Sequence, residues 1–296
     1  MISRALPSGT PRRLLIAAAL AAGLLAMLAV APSAFADAFT PESGGSPNAD
    51  NIDTLFKLTM YIGLVIFLIV EGTLIWSLVR YRARRGGPEA AQLRGNTPLE
   101  VGWTVGAAVI LVVLTVVVFV YLDDIENPPP SGPNGLRASQ AQFATIDQPE
   151  PSTSGGPVLR IEVVGQQYLW RYDYGQGNGL YAYYEMVVPV DTTVVLEITA
   201  SDVIHSWWIP KLGGKMDGVP GHINETWFKI PAEQAGQTFS GQCAELCGPN
   251  HADMRAQVRA VTPEAFERWT EERREGISSA AEDLAEQRRQ RQREDQ

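Results

Sequence analysis

Cysteine is scarce in this chain. Only Cys243 and Cys247 occur among 296 residues. A secreted domain of this size does not need one short-range disulfide in order to fold, so the pair is not predicted to be a disulfide framework. No C-x-x-C-H segment is present, which excludes a covalently attached c-type haem on this chain. Histidine is almost as rare, with His205, His222 and His251. The two cysteines therefore need another explanation.

Positive charge is also limited. The chain has 24 Lys and Arg against 33 Asp and Glu, a formal net charge of −9, and its basic residues form no stripe. This charge balance excludes nucleic acid as a partner. An acidic surface suits a basic protein partner, and the attraction between them weakens as the salt concentration rises.

Residues 1–36 predict an export signal. Arginines precede an Ala/Leu-rich run, and a small-x-small cleavage sequence ends at Ala36. A retained membrane helix is the alternative, because the run is nearly long enough to span a bilayer. Pro32 and the cleavage pattern favour removal.

Two further apolar segments, within residues 50–125, predict a transmembrane helical hairpin. Each segment is close to the ~20 residues that a helix needs to cross a bilayer. The short loop between them is rich in arginine, whereas acids flank the two outer ends. The positive-inside rule therefore predicts a cytoplasmic loop, with the rest of the chain on the outer face of the plasma membrane.

The remaining sequence divides into three parts. Residues 126–157 are rich in Pro, Gly and Ser, which predicts a linker. Residues 158–262 contain short alternating and β-branched runs broken by Gly and Pro, which predicts an all-β antiparallel sandwich or barrel. Thr262 and Pro263 then predict the start of a helix, so that residues 263–296 form a charged helix or a disordered tail.

One short loop combines two thiolates, an imidazole and a thioether in the sequence Cys243-Ala-Glu245-Leu-Cys247-Gly-Pro-Asn-His251-Ala-Asp-Met254. Soft ligands of this kind select copper, and the His/Cys/Met mixture is typical of electron-transfer sites. His205, which follows a predicted strand, can supply a second imidazole. Two thiolates can bridge two metal ions, with one imidazole for each ion and weak axial ligands from Met254 and a backbone carbonyl.

Three alternatives explain this loop less well. A disulfide between the cysteines does not explain why His251 and Met254 occur in the same loop. Structural zinc fits Met254 badly, because zinc sites use four Cys or His ligands. Thiol catalysis needs one activated cysteine and does not require a second one four residues away. His222 is interpreted as a turn or surface residue.

The hairpin, the linker and the C-A-E-L-C-G-P-N-H-A-D-M loop resemble subunit II of cytochrome c oxidase over about residues 50–270. The resemblance implies a cupredoxin-like domain that holds a dinuclear CuA copper centre. The ligands that it implies are His205, Cys243, the Glu245 carbonyl oxygen, Cys247, His251 and Met254. It also implies that the Glu245 side chain reaches a magnesium or manganese ion shared with subunit I.

The same resemblance implies a function in a bacterial respiratory chain. The domain would accept electrons from a cytochrome c-type donor and pass them to the haem of subunit I, which reduces oxygen to water with proton translocation. Subunit III is a further expected partner. Glu100 matches the family's acid at the entrance of a proton channel, and an ordinary interfacial carboxylate is the alternative. Glu71, inside the first apolar segment, is costly in lipid and receives no role.

The aromatic stretch at residues 165–173 resembles the family's electron-accepting surface, with one departure. Tyr168 occupies the position at which the family has the tryptophan where electrons enter, and Trp170 keeps the second aromatic position. Family positions that face cytochrome c are matched by Gln167, Asp173, Asp202 and Glu245. Several acids that usually follow are replaced by glycine-rich sequence, which predicts a donor other than a standard soluble mitochondrial-type cytochrome. A membrane-tethered cytochrome and a cytochrome domain in a complex with a quinol-oxidising partner are the two alternatives.

Three related functions compete with this interpretation. A quinol oxidase subunit II has the same hairpin and sandwich but lacks the copper ligands. Nitrous oxide reductase carries a similar copper loop on a large soluble enzyme, whereas this chain has a helical hairpin. A copper chaperone would need an exposed and exchangeable mononuclear site, whereas paired cysteines favour a dinuclear one.

Overall fold

Two long helices precede the β domain. The computed structural model describes residues 40–82, 92–136, 157–175 and 179–294, so the predicted export signal lies outside the described residues. Helix α1 spans Pro47–Arg80 and helix α2 spans Thr97–Glu126. Pro47 stands in the first turn of α1, where its missing N–H costs nothing. Both helices are long and apolar enough to cross a membrane.

Ten strands follow in the described residues. They are β1 (Leu159–Gln166), β2 (Leu169–Tyr174), β3 (Tyr181–Tyr183), β4 (Glu185–Pro189), β5 (Thr193–Ala200), β6 (His205–Trp207), β7 (Met216–Gly218), β8 (Asn224–Lys229), β9 (Thr238–Gln242) and β10 (Arg255–Val261). A five-stranded sheet has the order β3-β2-β1-β5-β8, and a three-stranded sheet has the order β4-β10-β9. Strands β6 and β7 form a separate hairpin pair. The all-β, cupredoxin-like fold class is confirmed.

The pairing is mixed rather than purely antiparallel, which corrects one detail of the sequence prediction. Strand β1 runs parallel to β5, and β10 runs parallel to β4. The reason lies in the connectivity, because β4 leaves the larger sheet for the smaller one before β5 returns beside β1. Alternation along a strand identifies its buried face but does not identify its neighbour.

The core lies between the two main sheets. Along β1, Leu159, Ile161 and Val163 are buried while the residues between them are half-buried. Trp170 and Tyr172 extend the core from β2, and both are fully buried. Burying each large apolar side chain contributes about 1.5–3 kcal/mol, so the alternation sets the register of these strands.

Both flanking segments pack on the domain. The beginning of the predicted linker is attached, since the Gly132 N–H donates to the Asp191 carbonyl oxygen at 2.7 Å and Leu136 is only 4% exposed. Residues 137–156 lie outside the description. Helix α3 spans Pro263–Glu294. The Thr262 hydroxyl accepts a hydrogen bond from the Ala265 N–H at 3.3 Å, as its predicted capping role requires.

Candidate metal centre

The motif loop connects β9 to β10, and backbone hydrogen bonds close it at its base. The Cys243 N–H donates to the Met254 carbonyl oxygen at 2.8 Å. The Ala244 N–H donates to the Ser206 carbonyl oxygen at 2.8 Å, which attaches the loop to β6. Because Ser206 directly follows His205, this bond brings the distant histidine to the loop.

Six potential donors meet at this place. His205 Nδ1 and the two cysteine sulfurs all lie within 4.8 Å of one another. The sulfurs of Cys243 and Cys247 are 3.9 Å apart, and His205 Nδ1 is 3.9 Å from the Cys243 sulfur. On the other side, the Cys247 sulfur lies 3.5 Å from His251 Nδ1 and 3.8 Å from the Met254 sulfur. The Glu245 carbonyl oxygen lies 3.2 Å from the Cys243 sulfur.

The donor set fits copper. Two free thiols 3.9 Å apart are not a disulfide, whose sulfurs lie about 2.05 Å apart. The separation is short enough for a metal ion to contact both sulfurs at about 2.3 Å. Cys243, Cys247, Met254 and His205 are buried, so the site is shielded from water and combines soft sulfur with imidazole.

Asp202 orients His205, a contact that the sequence interpretation missed. The imidazole Nε2–H donates to Asp202 Oδ1 at 2.8 Å, which leaves Nδ1 free as a ligand. Gly165 makes room for the ring, because a Cβ atom there would lie 2.9 Å from His205 Cδ2. An acid three residues before a ligand histidine was the signal that could have revealed this arrangement.

Two pKa values at the site are shifted. Burial, with a further contribution from the nearby Cys243 sulfur, raises the pKa of the Cys247 thiol to about 11. Burial also acts to raise the pKa of Asp202, but hydrogen bonds from the Gln167 N–H, His205 and the Val203 N–H outweigh it and lower that pKa. Asp202 is therefore a carboxylate near neutral pH, while Cys247 must lose a proton when it binds a metal ion.

Replacing Asp202 should separate an orienting role from a docking role. We expect Asp202→Ala to weaken copper affinity by about 10–100-fold, because an imidazole that loses its orienting partner binds metal less well. Asp202→Asn retains an oxygen that can accept from His205 and should lose less affinity. Copper titration of both variants measures this difference. Unchanged copper affinity together with equally raised donor KM values would indicate that Asp202 serves only in donor docking.

The two aromatic residues of the predicted electron-accepting pair lie at different depths. Tyr168 is half-buried, and a Cβ atom on Gly248 of the metal loop would lie 2.7 Å from its hydroxyl oxygen. Trp170 is fully buried, and its ring meets the His205 ring edge to face at 5.8 Å between centroids. Gln167 is exposed, and its side-chain amide donates to the Cys247 carbonyl oxygen at 2.6 Å. Tyr168 is the member of the pair nearer to solvent.

The side chains of the remaining predicted residues supply no donor to this cluster. Asp173 is half-buried on β2 and pairs with Arg171 at 2.7 Å. The exposed Glu100 lies in the first turn of α2, where Oε1 accepts from the Asn96 N–H at 2.9 Å. Glu245 lies on the loop itself, with its carbonyl oxygen among the donors and its side chain exposed. His222 is exposed in a turn, where its N–H donates to the Val219 carbonyl oxygen.

The fold and the site define a membrane-anchored, cupredoxin-like copper protein. Two family models match the chain: "Cytochrome C oxidase subunit II, periplasmic domain" over residues 175–261, and "Cytochrome C oxidase subunit II, transmembrane domain" over residues 35–120. The chain belongs to the cytochrome c oxidase subunit II family.

Individual relatives agree with this assignment. Cytochrome c oxidase subunit 2 of Cereibacter sphaeroides is 32% identical over 280 residues, which cover 86% of this chain and 90% of the relative. The protein of the same name from Alkalihalophilus pseudofirmus is 34% identical over 82% of this chain, and the match spans 65% of that relative's length. A crystal structure of the periplasmic domain of subunit II from Bradyrhizobium japonicum is 36% identical, covering 40% of this chain and 95% of that one, with a TM-score of 0.37.

Proposed function

We propose that the chain accepts electrons from a cytochrome c-type donor and delivers them to the haem of the catalytic subunit of a terminal oxidase. That subunit would reduce oxygen to water with proton translocation. The observation that carries the proposal is the meeting of two thiols, two imidazoles, a thioether and a carbonyl oxygen at one end of a membrane-anchored β domain.

The proposed ligands divide into strong and weak donors. Cys243 and Cys247 would hold both metal ions, His205 and His251 would each bind one, and Met254 with the Glu245 carbonyl oxygen would be the weaker ligands. A bound dinuclear copper centre supplies one-electron exchange. The buried loop keeps water away, and its backbone hydrogen bonds hold the donors in place, so little rearrangement is needed when the charge changes.

The carrier that donates electrons is proposed to dock beside Tyr168. Gln167 and Asp202 lie nearby, and Asp202 is a carboxylate at neutral pH, which suits a basic partner. Because Asp173 is paired with Arg171, the acidic patch is weak, and a tethered cytochrome is favoured over a standard soluble one.

The test is anaerobic mixing of the assembled oxidase with reduced donors, followed at the copper and haem absorption bands. Rapid oxidation of a tethered cytochrome, with copper reduced before haem, is the expected result. Fast and strongly salt-dependent turnover with a soluble mitochondrial-type cytochrome would contradict the donor proposal alone. Haem reduction without prior reduction of the copper would contradict the proposed function.

Glu100 is proposed to lie at the entrance of a proton channel at the cytoplasmic end of α2. We expect Glu100→Gln to lower proton-coupled turnover at least about 10-fold, because glutamine cannot carry the proton. Glutamine still offers an oxygen to the Asn96 N–H, so the helix cap is preserved. Steady-state oxygen consumption measures the effect.

Glu100→Ala is the matched variant for this test. It removes the cap as well as the charge and should also destabilise the helix start by about 1 kcal/mol. If Glu100→Gln keeps full turnover while Glu100→Ala loses it, Glu100 is a helix cap and not a proton carrier.

Three further features complete the proposal. The exposed Glu245 side chain is proposed to reach a magnesium or manganese ion shared with subunit I, since carboxylate oxygen suits both metals. The copper domain is proposed to face outward from a bacterial plasma membrane, because arginines cluster in the loop between the two helices. Subunit III is proposed as an additional neighbour.

A further inference from the structure

Strand β8 meets the ends of both membrane helices at a single residue, Trp227. The Trp227 carbonyl oxygen accepts a hydrogen bond from Asn48 Nδ2 at 2.9 Å, and Asn48 lies in the first turn of α1. The indole Nε1–H of Trp227 donates to the Ile125 carbonyl oxygen at 2.8 Å, and Ile125 lies in the last turn of α2. Trp227 is 4% exposed. One residue of the β domain therefore joins both helices.

Neighbouring contacts strengthen this junction. The Lys229 N–H donates to Ser46 Oγ at 3.1 Å, and Lys229 Nζ donates to the Pro130 carbonyl oxygen at 3.1 Å. Ser46 and Asn48 are almost fully buried. Together these hydrogen bonds favour one orientation of the domain on its hairpin over a free hinge.

The junction and the metal site lie at opposite ends of the larger sheet. Strand β5 begins at Thr193, opposite Lys229, and ends at Ala200, opposite Gly165, which packs against His205. Trp227 pairs with Val195, and the five steps along the strand from Val195 to Ala200 span about 17 Å at about 3.3 Å per residue. Over that length, a tilt of about 5° would move the metal site by about 1.5 Å.

We propose that Trp227 is a positioning residue that fixes the tilt of the copper domain on the membrane hairpin. It thereby sets the separation between the copper site and the electron acceptor in the catalytic subunit. The inference rests on the proposed function. Electron transfer slows steeply as donor and acceptor move apart, so the junction matters for electron delivery although it lies far from the ligands.

The test uses the assembled oxidase with Trp227→Phe, which keeps an aromatic ring and removes the Nε1–H donor. We expect electron transfer from copper to haem to slow about 10-fold or more, while the copper electron paramagnetic resonance spectrum and the donor KM stay unchanged. Trp269→Phe is the matched control. Trp269 packs on Phe266, and both residues lie on α3. Helix α3 contacts β3 through the Arg273 side chain, which donates to the Tyr181 carbonyl oxygen. Strand β3 is the edge of the sheet opposite to β8. In this control, the rate of electron transfer from copper to haem should stay within about twofold of the rate in the unsubstituted enzyme.

A distance measurement on the full-length chain gives an independent result, even if the Trp227→Phe chain does not assemble with the other oxidase subunits. Asn48→Leu removes the hydrogen bond from α1 to the Trp227 carbonyl oxygen. A spin label is attached at Tyr61→Cys on α1, where the side chain is 58% exposed, and its distance to the copper is measured. We expect a narrow distribution in the parent chain and broader ones in Trp227→Phe and Asn48→Leu.

The outcomes separate this inference from the function on which it rests. A normal copper spectrum with unchanged internal electron transfer and unchanged distances in both junction variants would overturn the positioning role alone. A parent chain without the signature of a copper pair would overturn the proposed function and this inference together.

Discussion

Replacing Cys247 with serine is expected to abolish the dinuclear copper centre and to slow reduction of the chain by its donor more than about 100-fold. Changes in the surroundings of a metal ligand already cost about 10–100-fold, so the loss of a shared ligand should cost more. The Cys247 sulfur lies within 4 Å of three other donors, those of Cys243, His251 and Met254. Copper analysis and stopped-flow reduction of the full-length protein measure both effects.

Ala252→Ser is the matched control for this substitution. It adds the same hydroxyl group to the same loop at an exposed position and removes no donor. Copper content and the rate of reduction should both be unchanged. A Cys247→Ser protein that retains two copper ions and normal reduction would show that the sulfur pair does not hold the metal.

Gly165→Ala is expected to damage the site without altering any ligand. The added Cβ atom would lie 2.9 Å from His205 Cδ2 and 3.1 Å from Trp170 Cζ3, and both side chains are fully buried. Overpacking of this kind costs about 1–3 kcal/mol. His205 also forms its hydrogen bond to Asp202, so the ring cannot move away freely. We expect a lower unfolding temperature and copper affinity reduced by about 10-fold or more.

Gly214→Ala is the control for this crowding, since the nearest atom to its added Cβ would be 3.7 Å away, an ordinary contact. Thermal unfolding and copper titration of the two variants, compared in full-length protein, isolate the effect of crowding at His205. Equal stability and equal copper affinity in both would show that Gly165 has no part in placing the ring.

Local patterns in the sequence predict the pieces of this structure well. Alternating apolar residues identify β1, because each side chain reports which face of the strand is buried, and a β-branched apolar run identifies the more fully buried β5. The spacing from Cys243 to Met254 predicts a single loop of donors, and the backbone bond between these two residues closes that loop. Length and composition predict the two long helices.

The features that sequence could not provide depend on contacts between distant segments. The parallel pairing of β1 with β5 follows from the path of the chain between the sheets. The burial of Trp170 beneath His205 joins residues 35 positions apart, and the Trp227 bond to Ile125 spans 102 positions. No local periodicity encodes such pairs, since they arise only when the core closes.

Local sequence patterns also did not predict that the Asp202 carboxylate has a second role, as a hydrogen-bond partner of His205. Asp202 matched a position associated with a carrier surface, yet its two oxygens accept hydrogen bonds from His205, Val203 and Gln167. The three-residue spacing between Asp202 and His205 can signal such a contact, but it does not fix the geometry. Only the turn geometry before β6 brings the two side chains together.

Electron paramagnetic resonance of the copper-loaded, partly oxidised full-length protein tests the account most directly. If Cys243 and Cys247 bridge two ions that share one unpaired electron, the spectrum should show hyperfine splitting from two equivalent copper nuclei, with two copper ions bound per chain. Hyperfine splitting from a single copper nucleus would contradict the dinuclear centre. A disulfide between Cys243 and Cys247, with no copper bound, would contradict it as well.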